Sequence, residues 1–108
     1  MRNFEVANKI SNIQNFKTMN ASKFDQYNKC KEQYENVIVM FRVGDFYEFI
    51  LEDAEAMSKL LGITLCCYKE NAVGKFYQAM FPHYQLDAYL PKIIRAGHRV
   101  CICDGEEE

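Results

Sequence analysis

No stretch of this sequence comes near the ~20 consecutive apolar residues that a membrane-spanning helix needs. With two prolines and five scattered glycines in 108 residues, there is no Pro/Gly-rich linker and no glycine-rich loop to cradle a phosphate. No repeat or low-complexity tract is found either. Histidine is equally scarce. His83 and His98 are the two present, and neither stands beside a Ser or Cys in a nucleophile motif. The expectation is therefore a chain that is not an enzyme and needs no cofactor. Tryptophan is absent, so the 14% aromatic content rests on eight Phe and seven Tyr. The opening segment MRNFEVANKISNIQ lacks the continuous apolar core of a signal peptide, which points to the cytoplasm.

Cysteine is present but in the wrong number for a disulfide framework. Five cysteines occur as Cys30, the pair Cys66-Cys67 and Cys101-x-Cys103. An odd count in a chain without an export signal fits reduced thiols. On a strand, Cys101 and Cys103 share one face, and Cys66 and Cys67 take opposite faces. Zinc sites usually separate their cysteines by two to four residues, so these are read as small buried hydrophobes, with no metal. The acidic cluster Glu52, Asp53 and Glu55 is read as a solvated helix start rather than a cation site.

An excess of either charge is also missing. Thirteen basic and fifteen acidic residues give a net charge of −2, which excludes polyanion binding by bulk electrostatics. The distribution is uneven: residues 1–40 carry six Lys/Arg and four Asp/Glu, and residues 41–108 carry seven and eleven. Nucleic-acid contact must then come from a local patch with weak electrostatic support.

What remains is the pattern of an α/β domain of mixed sheet and packed helices. Residues 1–20 form an N-terminal extension, where Phe4, Ala7, Ile10 and Ile13 are spaced for a helix. The domain occupies 21–105, and 106–108 is an acidic tail. Ser22-x-x-Asp25 resembles a capping box, and Phe24, Tyr27, Cys30 and Tyr34 recur at helical spacing to about Tyr34. Val37 to Phe41, VIVMF, suits a strand covered on both faces. Gly44-Asp45 marks a tight hairpin before a second strand, Phe46 to Ile50. Leu51, Ala54, Met57 and Leu61 make a helical stripe that stops at Gly62. Strands are expected over Ile63–Tyr68 and Lys75–Phe81, joined by the loop Lys69–Gly74. A helix then starts near Asp87, with Pro91 close to its first turn, and stops at Gly97. His98–Cys103 is the last strand.

The informative segment is Phe41 to Phe49, FRVGDFYEF. If Tyr47 and Phe49 enter the core, alternation presents Phe46 and Glu48 together on the opposite face. By residue physics alone, the pair is either a displayed site or a satellite core ring beside a solvated edge charge. The segment resembles the FR-hydrophobic-GDFYE-hydrophobic motif of the N-terminal, mismatch-sensing domain (domain I) of the MutS DNA mismatch repair family. Further matches follow in order. They are Glu52-Asp53-Ala54, Leu60-Leu61-Gly62-Ile63-Thr64-Leu65, then Pro82, Tyr84, Asp87, Tyr89-Leu90, Lys92-Ile93-Ile94 and Gly97, and finally Val100-Cys101-Ile102-Cys103-Asp104. Together they span about residues 20–105.

The resemblance implies a stand-alone DNA-binding domain that inserts Phe46 into the minor groove as a wedge at mispaired or distorted steps. It also implies that Glu48 hydrogen-bonds to the mispaired base. Arg42 and Lys69 complete the implied DNA-contacting set. The expected partner is double-stranded DNA with a mismatch, bound weakly by the domain alone, with other protein chains also considered. The sequence departs from the family where Cys66-Cys67-Tyr68-Lys69-Glu70 replaces a basic Lys/Arg-Gly segment, where Met80 stands at a glycine position, and in the order Pro82-His83-Tyr84. The family's clamp, lever and ATPase parts are not in these residues, so the resemblance implies an ATP-independent domain. The alternative is a protein-interaction module that keeps the fold and has lost DNA binding.

Overall fold

The computed structural model describes residues 23–71 and 74–104, with backbone alone for 68–71. The extension 1–20, the Ser22 cap and the tail 106–108 lie outside the described residues. Eight regular elements and one short turn follow in order. They are helix α1 (Lys23–Gln33), β1 (Val37–Val43), β2 (Phe46–Ile50), α2 (Leu51–Leu61), β3 (Cys66–Asn71) and β4 (Gly74–Pro82). A 3-10 turn (His83–Gln85), α3 (Leu86–Arg95) and β5 (Arg99–Asp104) complete the chain.

The strands form one sheet in the order β3-β4-β2-β1-β5. It is mixed, because β5 runs parallel to β1 while the β1/β2, β2/β4 and β3/β4 pairs are antiparallel. Central strand β1 is buried from Val37 through Phe41, as its unbroken apolar run requires. Its side chains alternate between two cores. Ile38 and Met40 join Tyr47, Phe49, Ala79, Phe81 and Val100 under α2 and α3, which contribute Ala54, Met57, Leu61, Leu90 and Ile93. Val37, Val39 and Phe41 join Ile50, Cys101 and Cys103 under Tyr27 and Cys30 of α1. The architecture is thus a sheet between helices on both faces.

Turns follow local chemistry. Gly44 takes φ 60° at the β1–β2 hairpin, and Asp45 is not among the positive-φ residues. That matches the turn with glycine at its first central position, whose twist suits paired strands. Helix α2 ends on Gly62, at φ 75°, whose N–H donates to the carbonyl of Ser58 at 2.9 Å. No loop separates β2 from α2. The chain turns instead at Leu51, a leucine at φ 57°, a left-handed conformation that costs a non-glycine residue about 1–2 kcal/mol.

Four expectations need correction. Strand β3 begins at Cys66 rather than Ile63, because the chain must first climb from the end of α2 to the sheet edge. The expected loop 69–74 is strand at both ends, since β3 runs to Asn71 and β4 begins at Gly74, with the two paired from Cys66 to Asn71. Pro91 lies inside α3, not in its first turn. The carbonyl it leaves without a helical donor belongs to Asp87, on an exposed residue where water can satisfy it. Phe24, expected inward, is 37% exposed and packs at a tilt of 57° against Phe76, with ring centroids 6.0 Å apart.

Phe81 sits among the rings of Tyr47, Phe49 and Tyr89 at centroid distances of 5.7, 6.0 and 4.8 Å. Phe81→Ala is expected to remove about 3–5 kcal/mol of stability. Urea denaturation checks this, and a loss under about 1 kcal/mol would show that the aromatic cluster collapses around the cavity.

Candidate nucleic-acid interface

The β1–β2 hairpin displays the motif. Val43 pairs with Phe46 across the turn, Arg42 with Tyr47 and Phe41 with Glu48. Tyr47 and Phe49 point into the core under α2 and α3, so Phe46 and Glu48 share the opposite face. Phe46 is 42% exposed. The tip is held from behind, because His83 N–H donates to the Asp45 carbonyl at 2.7 Å. A half-exposed ring therefore stands on a hairpin whose next residues are core.

Glu48 does not stand beside it in the open. The expectation placed the pair together on a rim, yet Glu48 is 2% exposed. Its Oε1 pairs with the Lys23 ammonium at 2.5 Å, and its Oε2 accepts a hydrogen bond from the Gln78 side-chain amide. Glu48 lies two residues further along β2 than Phe46, roughly 7 Å deeper into the sheet, where the first turn of α1 covers this face. Alternation gives the shared face; the helix above decides which residue is reached by solvent.

Arg42 is also engaged. Its Nε donates to the Gly44 carbonyl at 2.7 Å, and its guanidinium lies over the Tyr47 ring, 5.5 Å from the centroid. It braces the hairpin from the core side of the sheet. Lys69 pairs with Phe76 on edge strand β3, next to a register shift; its side chain is outside the described residues. The structure thus brings Phe46, Glu48 and Arg42 onto one hairpin, on two faces, and puts Lys69 two strands away.

Sequence reasoning named Met80 as a departure at a glycine position but did not place it on the exposed face. It pairs with Glu48 across β2 and β4 and is 37% exposed, a diagonal neighbour of Phe46 on the same face. The signal was there: with Ala79 and Phe81 in the core, alternation sends Met80 outward. Asp53 was misread in the other direction. It is buried, not solvated like its neighbours Glu52 and Glu55. Its Oδ1 pairs with Lys31 at 2.7 Å, and its Oδ2 accepts the Val39 N–H at 2.9 Å. Lys31 also donates to the Val37 carbonyl at 2.6 Å. Burial pushes the Asp53 carboxyl above its ordinary range, against the downward pull of Lys31 and the Val39 amide.

With this geometry in view, comparison with known proteins is decisive. A family model described as MutS domain I matches residues 21–108. This chain belongs to the MutS domain I family. The DNA mismatch repair protein MutS of Porphyromonas gingivalis is 50% identical over 84 residues, covering 77% of this chain and 9% of that protein. The MutS proteins of Cytophaga hutchinsonii and Salinibacter ruber are 48% and 47% identical over 83 residues. The chain spans about a tenth of the length of these relatives.

Two outcomes test the polar contacts. Lys23→Met leaves Glu48 buried with Gln78 and is expected to cost on the order of 1–3 kcal/mol, read by urea denaturation; no change would place the Lys23 ammonium in solvent. For Asp53, the folded state holds its proton more tightly than the unfolded chain does. That contribution to stability is fully present below about pH 4 and is lost as pH rises through the folded value. The stability advantage of the protein over Asp53→Asn should therefore shrink from about pH 4 to pH 7. An advantage that grows with pH would mean that the Lys31 pair outweighs burial.

Proposed function

We propose that this domain is a non-catalytic sensor of weakened base steps in double-stranded DNA, with Phe46 as its wedge. The observation that carries the reading is the half-exposed Phe46 ring on a hairpin tied down by buried Tyr47 and Phe49 and by the His83–Asp45 backbone bond. A ring inserted from the minor groove must unstack a base step, at a few kcal/mol and less at a mismatch, so a rigid wedge selects weak steps without reading sequence. Met80 beside it widens the apolar edge. Glu48 is the second component. A carboxylate near phosphates is repelled unless a base donor compensates it, and here Lys23 and Gln78 already occupy both oxygens. Contact with a mispaired base therefore requires Lys23 to give way. Arg42 shapes the hairpin, and Lys69 is the candidate for backbone contact.

The protein-interaction reading draws on the same burial of Glu48 and on the acidic balance of residues 41–108. Paired titrations separate the two. With Lys23 and Arg42 both engaged within the fold, counterion release is small, and matched duplex should bind more weakly than ~1 μM at physiological salt. Mismatched duplex should bind more tightly at low salt. Phe46→Ala should erase that preference, worth ~1–3 kcal/mol of stacking, while changing stability by about 1 kcal/mol or less. Equal binding of both duplexes by the unaltered protein, unchanged in Phe46→Ala, would leave the interaction module as the reading.

A further inference from the structure

The face of the sheet beneath α1 holds a cluster that the hairpin does not use. Cys30 on α1 meets Cys101 and Cys103 on β5, with Sγ separations of 2.8, 3.9 and 3.8 Å for the 30–101, 30–103 and 101–103 pairs. All three thiols are free and buried. Their sequence spacing gave no hint of a site, because the third sulfur arrives from 71 residues away. Alternation puts Cys101 and Cys103 on one face, and the inward side of α1 lowers Cys30 between them.

Three sulfurs within bonding reach of one point are a soft donor set, and soft donors select soft cations. Metal–sulfur bonds of about 2.3 Å hold the sulfurs of one ion roughly 3.8–4.0 Å apart. Two of the three separations have that span, and the third must open by about 1 Å to reach it. Zinc in a closed site takes four ligands, and among the described residues no fourth His, Cys, Asp or Glu joins the group. The wall is apolar, made by Val37, Val39, Phe41 and Ile50, and gives a completing water little to hold it. Three soft donors in a dry shell suit a cation of low coordination number, and a single charge is less costly to desolvate than a double one.

We propose that Cys30, Cys101 and Cys103 form a three-sulfur site for a soft monovalent cation, with Cu(I) as the ion of that class to test. Binding forms metal–sulfur bonds to the three sulfurs, and each thiol that becomes a thiolate ligand releases its proton to solvent; no electrons move. Entry requires α1 to lift from the sheet, and the bound ion then ties α1 to β5.

The test titrates the reduced 108-residue chain, without oxygen, against Cu(I) presented by a chromophoric chelator. One Cu(I) per chain is expected, with near-ultraviolet thiolate-to-metal absorption and a raised Tm that zinc does not reproduce. The pair Cys66 and Cys67, expected as buried hydrophobes but exposed near the sheet edge, is the internal control. Cys66→Ser with Cys67→Ser should keep full uptake, and Cys101→Ala or Cys103→Ala should weaken it at least about tenfold, one step of 1.4 kcal/mol. Should those variants unfold, X-ray absorption on the copper-loaded double-serine protein reads the ligands directly, with three sulfurs expected and two overturning the geometry. Uptake that disappears with Cys66 and Cys67 overturns the site. So does a Cys30–Cys101 disulfide, read as a loss of two hydrogen masses and mapped by peptide digestion, when the metal-free double-serine protein is exposed to oxygen as the two-electron oxidant.

Discussion

Everything in this domain is organised around a strand that cannot tolerate water on either side. Five successive residues of β1, Val37 to Phe41, are buried, so both faces of the sheet must be roofed. Helices α2 and α3 cover one face and α1 the other. The hydrophobic effect sets that demand without direction; directional contacts at the start of β1 then fix the layers. Lys31 of α1 pairs with Asp53 of α2, and the two together take up the Val37 carbonyl and the Val39 N–H. One polar node thereby joins both helical layers to the central strand. A buried charge is tolerable there because every partner is supplied.

The same roofing decides what the hairpin can offer. Alternation sends Phe46 and Glu48 to the α1 face, but α1 begins at Lys23 and shelters the sheet unevenly. Phe46 lies beyond its edge and stays half in solvent. Glu48 lies beneath it and is drawn into a pair with Lys23 and Gln78. The family's two-residue signature is thus divided by depth into an available ring and a sequestered carboxylate. In the proposed role, shape is tested first by the ring, and the carboxylate follows after the edge of the roof opens.

The thiol cluster lies on that same face, one strand over from β1. Its sulfurs join α1 to β5 as the Lys31–Asp53 node joins α1 to α2. Helix α1 is therefore attached at Lys23, Tyr27, Cys30 and Lys31, through two ion pairs, a buried ring and a thiol, whereas α2 and α3 rest chiefly on apolar stripes.

Much of this was legible from one-dimensional patterns. The apolar run Val37–Phe41, the Gly44-Asp45 turn, and the stripe Leu51, Ala54, Met57 and Leu61 with its Gly62 stop depend on local geometry, and each formed where the residues placed it. The GDFYE motif carried the family in the same way. Depth was not legible, because it depends on what lies overhead. Whether Asp53 is solvated or sealed, and Glu48 displayed or paired, is settled by helices and strands remote in sequence. Cys30 shows the limit most clearly. Alone it reads as a small hydrophobe, and only the packing of α1 on β5 brings it to two other sulfurs, since no local rule links residues 71 positions apart.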